Sequence, residues 1–358
     1  MSTAFAPLAF AQPRRVARPV WGLVGADLSA AMRYESVGAV YRDAVGVASP
    51  FHISARAGLN LARLRVWHSP AGGWCGTEST LAAARRARSA GLSVLLDLHY
   101  SDTWADPAHQ TPPAAWAGLP LSTLVDRVYD YTYSTLRTLV RAGCAPAWVQ
   151  IGNEITDGML WPLGRISTAG WDGFGALVRA GVTACEDAAP APSLCRPMIH
   201  IDRGGDNGGC RWFFDRLLAR VPGVRAIGLS YYPWWHGSLA SLSQNLADLA
   251  PRYGLPLMVA ETAYPWTLGW ADSTNNLVGL ASQLLNGYPA SPAGQAKFLG
   301  DVAAIVRGTT GGLGVCAWGA ELIPSASIGS ACENIALFNF TGVAQPGLAA
   351  LAEAGLVR

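Results

Sequence analysis

Trp148-Val149-Gln150-Ile151-Gly152-Asn153-Glu154 is an apolar run that ends abruptly in an amide and a carboxylate. A short run of this kind reads as a strand packed on both faces, as in a parallel sheet covered by helices. Pro256-Leu257-Met258-Val259-Ala260-Glu261-Thr262 repeats the pattern. A carboxylate at the tip of a buried strand is costly unless the tip opens onto a polar cavity. Two such tips, far apart in sequence, suggest one shared mouth holding two acids.

The same reading extends along the chain. Strands are expected near 21–27, 61–67, 93–99, 147–153, 197–202, 226–232, 256–261 and 313–318. Helical stretches lie between them, among them Thr80 to Ala90, Leu121 to Ala142 and Ser238 to Ala250. Leu121, Leu124, Val125, Val128, Tyr131 and Thr132 keep the spacing of one core-facing helical stripe. Strands alternating with helices imply parallel pairing through right-handed crossovers. Eight of them imply an α/β fold, a single (β/α)8 TIM barrel, over residues 21–358. A doubly wound sheet is the alternative, but the Gly-rich turn expected after its first strand is missing. Residues 1–20 read as a lead-in outside the fold. Their apolar patch, Phe5 to Ala11, precedes Arg14, Arg15 and Arg18, the reverse of a signal peptide's order.

Composition narrows the chemistry. The 358 residues are 51% hydrophobic and 14% charged, enough for a large core and against disorder. A net charge of +2 without charge runs argues against nucleic acid and anionic membrane as partners. No apolar run reaches the length of a membrane span. Lys297 is the only lysine, so a phosphate-loop lysine or a Schiff base elsewhere is excluded. The 14 Trp and 11 Tyr supply flat faces for sugar rings as well as core volume. None of the seven Cys has zinc or redox spacing, so neither a zinc nor a redox site is expected. Cys185 and Cys195 flank a loop-like stretch and could form a local disulfide. The odd total leaves at least one free thiol or an intermolecular bond.

Two carboxyls at one mouth suit glycosidic cleavage, where one is a proton donor and the other is ionised. By itself, Asn153-Glu154 also reads as a helix cap or a salt-bridged pair; the matching tip at Glu261 favours the catalytic reading. Arg63 and Arg65 alternate onto the same face of the second strand and need carboxylate partners. One is expected to orient the ionised glutamate and the other to form a structural ion pair. The third strand runs into His99-Tyr100-Ser101-Asp102-Thr103-Trp104, and Trp318 ends the eighth. Polar and aromatic residues at successive tips describe a saccharide cleft.

These stretches together resemble glycoside hydrolase family 53, the endo-β-1,4-galactanases. The resemblance is carried by Gly25-Ala26-Asp27-Leu28-Ser29, Arg63-Leu64-Arg65-Val66-Trp67 and His99 through Pro107. It continues through Ile151-Gly152-Asn153-Glu154-Ile155, Leu160-Trp161-Pro162-Leu163-Gly164, Gly228 through Pro233, and Glu261-Thr262. It implies a secreted enzyme, extracellular or periplasmic and monomeric, that hydrolyses β-1,4-galactan, a pectin side chain, by retaining double displacement. Glu154 would be the acid/base, Glu261 the nucleophile, Arg63 and Tyr232 its neighbours, and Asn153 the holder of the sugar 2-hydroxyl. Asp27, His99, Asp102, Trp104 and Trp318 complete the substrate-binding set. Retention requires carboxyls about 5–5.5 Å apart.

Two departures from the family accompany the match. Fungal members pair a Cys after the nucleophile strand with one in the segment resembling Ser330-Ala331-Cys332. Ala263-Tyr264-Pro265-Trp266-Thr267 has none, which leaves Cys332 unpaired. Some bacterial members bind calcium in the loop after the seventh strand, where this chain offers Asp272, Asn275 and Asn276. No cofactor is required, and structural calcium there is the lesser expectation. The alternatives are another retaining β-glycanase of the same clan, acting on mannan or xylan, and an inactive carbohydrate-binding barrel.

Overall fold

Eight parallel strands close on themselves in sequence order in the computed structural model, which describes residues 22–355. They are β1 (Leu23–Asp27), β2 (Leu61–Val66), β3 (Ser93–Leu98), β4 (Trp148–Ile151), β5 (Arg196–Ile201), β6 (Ala226–Tyr231), β7 (Leu257–Thr262) and β8 (Gly312–Ala317). A crossover helix follows each strand: α1 (Pro50–Arg56), α2 (Thr77–Ser89), α3 (Leu121–Arg141), α4 (Trp171–Ala188), α5 (Asn207–Leu218), α6 (Leu239–Tyr253), α7 (Pro292–Gly308) and α8 (Pro346–Gly355). The expected barrel is the observed one. The lead-in assigned to 1–20 lies outside the described residues.

Local chemistry sets the helix ends. Ser238 caps α6 by accepting the Ser241 N–H (3.1 Å), and Gly254, at φ +62°, ends it. Ser291 caps α7 the same way, with Pro292 in the first turn. Along α3, Leu124, Val128, Thr132, Thr135, Leu136 and Leu139 are buried, a three-and-four spacing that turns one stripe onto the barrel.

Alternation along the strands stratifies the barrel interior. A lower layer of Leu61, Leu95, Trp148, Met198, Ala226 and Met258 is apolar and buried. Each fully buried side chain of the Leu or Met kind contributes about 1.5–3 kcal/mol. Two residues further along β2, β3, β4 and β5, on the same face, come Arg63, Asp97, Gln150 and His200. All four are buried. The interior thus changes from hydrocarbon to hydrogen-bonding groups in one step toward the strands' C-terminal ends, where a barrel of this kind carries its site.

All seven cysteines are buried free thiols. The Cys185–Cys195 disulfide that the spacing allows is therefore absent; Cys185 packs into the core from the inner face of α4. Cys332 is unpaired, as expected.

Candidate active site

Arg63 is the centre of the polar layer. Its side chain is 1% exposed, and it bonds Asp27 (2.8 Å), Asp97 (2.8 Å) and Glu261 (2.7 Å). Its Nε donates to Gln150 Oε1 (2.7 Å) and its Nη2 to Asn153 Oδ1 (2.9 Å). A guanidinium buried this deeply is tolerable because its fork is matched by acceptors. Burial pushes the Asp97 carboxyl up, but Arg63 and His99 outweigh that and hold it at about 2. Sequence alternation foresees two jobs for two arginines. The structure gives both to Arg63, which is at once the ion-pair hub and the neighbour of Glu261. Arg65, one step nearer the mouth, has no carboxylate partner among the described residues. Its guanidinium lies 3.8 Å over the Trp104 ring and 3.4 Å from the Cys75 thiol, and its Nε has no partner.

The two strand-tip acids reach the mouth by different devices. In β7, Met258 pairs with Gly228 and Val259 with Leu229, yet Glu261 pairs with Ser230. Ala260 is thus an extra residue, and the pairing of β7 with β8 shifts at the same place. Such a bulge reverses the alternation beyond it. Met258 points inward, so unbroken alternation would send Glu261 outward; the bulge turns it into the barrel. At β4 the strand stops at Ile151. Gly152 then takes φ +80° and Glu154 φ +49°, a left-handed conformation uncommon for a non-glycine residue. A Cβ on Gly152 would also come within 2.5 Å of the Ile155 Cγ2.

Their surroundings differ as well. Glu261 is 5% exposed; one carboxyl oxygen meets Arg63 and the other accepts the Tyr232 hydroxyl (2.8 Å). Burial raises its carboxyl to about 7, against the pull of Arg63 and Tyr232. Glu154 is partly exposed at the cleft floor, with Ser230 Oγ 2.5 Å from its Oε1. Desolvation and the charge of Glu261 push it well above the usual carboxylate range. The pair therefore combines a carboxyl braced by a cation and a hydroxyl with one that meets a serine and no cation, surroundings that push two acids apart.

A cleft of about 480 Å³ lies above them. Of the residues expected at the site, Glu154, Glu261, Arg63, His99, Trp104, Asn153, Tyr232 and Trp318 line it. Asn153 is fixed by Arg63, by His200 Nδ1 (3.0 Å) and by the Ala105 carbonyl (2.8 Å). One N–H of its amide is left for a ligand. His99 has no nitrogen to spare. Its Nε2 donates to Asp97 (2.8 Å), and its Nδ1 accepts from the Ala105 N–H (3.0 Å) and the Trp67 indole (3.3 Å). Asp27 lies beneath, on Arg63 and the Ser29 N–H (3.0 Å). Asp102 falls outside the lining and bonds the Ser69 (2.9 Å) and Ala114 (2.8 Å) N–H groups, bracing a loop.

Arg65, Trp67, Trp74, Asp106 and Trp235 also line the cleft. Trp235 is 59% exposed, and only the density of aromatics after β6 hints at it. In the loop after β7, Asp272 accepts the Thr274 (2.7 Å) and Ser325 (3.1 Å) N–H groups, while Asn276 donates to the Gly269 carbonyl (3.1 Å). These bonds pin the loop, and Asn276 Oδ1 is left buried without a hydrogen-bond partner among the described residues.

The chain as a whole is similar to known proteins. A protein of Niallia circulans, itself uncharacterized, is 44% identical over 348 residues, covering 93% of this chain and 94% of its own. The arabinogalactan endo-β-1,4-galactanase of Thermothelomyces thermophilus is 35% identical over 331 residues, covering 90% and 97%. The Ignisphaera aggregans GH53 catalytic domain superposes with a TM-score of 0.87 at 35% identity, covering 95% of this chain and 98% of that one. The sequence model of glycosyl hydrolase family 53 matches residues 23–351. By sequence and by structure, then, the chain belongs to glycosyl hydrolase family 53.

Proposed function

We propose that this protein is a retaining endo-β-1,4-galactanase, with Glu154 as acid/base and Glu261 as nucleophile. The observation that carries the assignment of roles is the unequal bracing of the two tips. Arg63 and the Tyr232 hydroxyl bind Glu261, while Glu154 has no cation in contact and is pushed well up by desolvation and Glu261. Glu261 attacks the anomeric carbon as Glu154 gives its proton to the departing glycosidic oxygen. The bond from carbon to that oxygen breaks and a glycosyl ester forms. Water then attacks the anomeric carbon, the bond from that carbon to the Glu261 oxygen breaks, Glu154 takes the water's proton, and the Glu261 carboxylate is restored.

The substrate is supported by the galactanase named among the relatives at 35% identity. Trp104, Trp235 and Trp318 line the cleft as platforms for successive sugar rings. The free N–H of Asn153 suits the sugar 2-hydroxyl. A polymeric substrate is met outside the cell, in keeping with a secreted enzyme; no helix among the described residues is long and apolar enough to cross a membrane. Digestion of β-1,4-galactan should release oligosaccharides, with NMR showing the β-anomer first. Release of the α-anomer first would overturn retention, and turnover of mannan or xylan in preference to galactan would overturn the substrate. Glu154→Gln and Glu261→Gln should each lower turnover by about 10⁴-fold or more.

A further inference from the structure

Glu154 belongs to a hydrogen-bond chain that the double displacement does not by itself require. Ser230 Oγ lies 2.5 Å from Glu154 Oε1 and 2.9 Å from His200 Nε2. His200 Nδ1 lies 3.0 Å from Asn153 Oδ1. The direction of that last bond is fixed from outside the chain. Asn153 donates its amide N–H to the Ala105 carbonyl and accepts from Arg63, so its Oδ1 can only accept. His200 Nδ1 must therefore carry a hydrogen. His200 is fully buried, and burial together with the charge of Arg63 holds its pKa well below the ordinary value. A neutral imidazole protonated at Nδ1 has a bare lone pair at Nε2. Satisfying that lone pair takes the single hydrogen of the Ser230 hydroxyl.

We propose that His200 and Ser230 lock Glu154 in its acid form, because they leave Ser230 only a lone pair to offer it. A protonated Glu154 donates into that lone pair, and the chain is satisfied throughout. An ionised Glu154 draws the Ser230 hydrogen to itself, leaving His200 Nε2 facing an oxygen lone pair. That mismatch lasts while the glycosyl ester stands and ends when Glu154 takes the proton of the attacking water, so the chain also favours the second half-reaction. One proton leaves Glu154 and one returns. The other groups facing Glu154 are Glu261, Asp202, Arg63 and Tyr232; those facing His200 are Arg63, Asp97 and His99. Among the described residues, Ser230 Oγ is hydrogen-bonded to Glu154 and His200 and to none of these other groups.

His200 and Ser230 are positioning residues, and the inference rests on Glu154 being the acid. The test is the pH profile of kcat/KM on galactan, whose basic limb reports that acid. If Ser230 can only accept, Ser230→Ala removes support from the acid form and the limb moves down by about one pH unit. If Ser230 instead donates to an ionised Glu154, the same variant moves the limb up. An upward or unmoved limb overturns the lock. Ser230→Thr keeps the hydroxyl and should keep the wild-type limb. In His200→Gln a side-chain N–H can replace the lone pair, which frees the Ser230 hydrogen and again lowers the limb. In ¹⁵N-histidine-labelled wild type, NMR should show His200 neutral and protonated at Nδ1; a cation or the Nε2–H tautomer overturns the lock without reference to activity. Turnover retained in Glu154→Gln would instead refute the acid assignment, so the two failures are distinguishable.

Discussion

The tips of β4 and β7 present the same side chain to the same cleft, yet almost nothing around them is alike. At β7 the strand continues to Thr262 through a bulge at Ala260, and the carboxylate it turns inward is clamped by a buried arginine and a tyrosine. At β4 the strand stops early, two left-handed residues carry the chain over, and the carboxyl meets a serine and a neutral histidine chain. The two carboxyls are thus separated by backbone geometry before electrostatics separates them further. A carboxylate that must stay ionised needs a rigid, cation-lined seat. One that must hold and release a proton needs a desolvated seat without a cation.

The severest way to break the contrast is to move the carboxyl one residue back, in the double variant Ala260→Glu/Glu261→Ala. The acid then stands on the unpaired residue of the bulge and no longer opposite Ser230, away from Arg63 and Tyr232, and turnover on galactan should fall by about 10⁴-fold, as for loss of the Glu261 carboxyl itself. Far-UV circular dichroism should still show a barrel; undiminished turnover would mean that the bulge does not aim the carboxylate. At the other tip, Gly152→Ala places a Cβ against Ile155 in a left-handed backbone. The expected cost is about 1–3 kcal/mol in thermal or denaturant unfolding, with a matching loss in kcat, and a neutral outcome would show that the β4 turn can relax.

Tyr232→Phe addresses the electrostatic half of the comparison. It removes a donor to ionised Glu261 and should move the acidic limb of kcat/KM up by about one pH unit. In the wild type that limb is expected near pH 7, since burial raises Glu261 to about 7 and its protonated form would not attack. The basic limb, which reports Glu154, should hardly move in this variant. Comparable movement of both limbs would mean that the tips do not titrate as separate seats. The mildest change is Trp104→Ala, which leaves both acids in place. It should raise KM about tenfold with a smaller effect on kcat. A selective fall in kcat would place Trp104 in the chemistry and not in binding.

Much of this was legible in the chain. The eight strands fall within a residue or two of where short apolar runs place them, because a strand buried on both faces can hold little else. Glu154, Glu261, Arg63 and Tyr232 are legible as polar groups at or near strand tips. Asp97, Gln150, His200 and Ser230 also stand on inward-facing strand positions. What makes them matter is which of them meet across strands, and spacing along one strand does not report that. Asp102 is misleading for the converse reason: it sits in a stretch dense with hydroxyl-binding types, but the loop folds so that backbone N–H groups take both its oxygens.

The sequence by itself determined the alternation of strands and helices, the barrel and the two acids at its mouth, since these follow from local periodicity and from the cost of burying a charge at a closed strand end. Only the tertiary structure decided the rest. Whether Glu261 points in or out depends on one unpaired residue between neighbouring strands. Whether a carboxyl is acid or nucleophile depends on which partners the closed barrel brings within 3 Å of it. Both are properties of pairing between strands distant in sequence, and no residue in either tip records them.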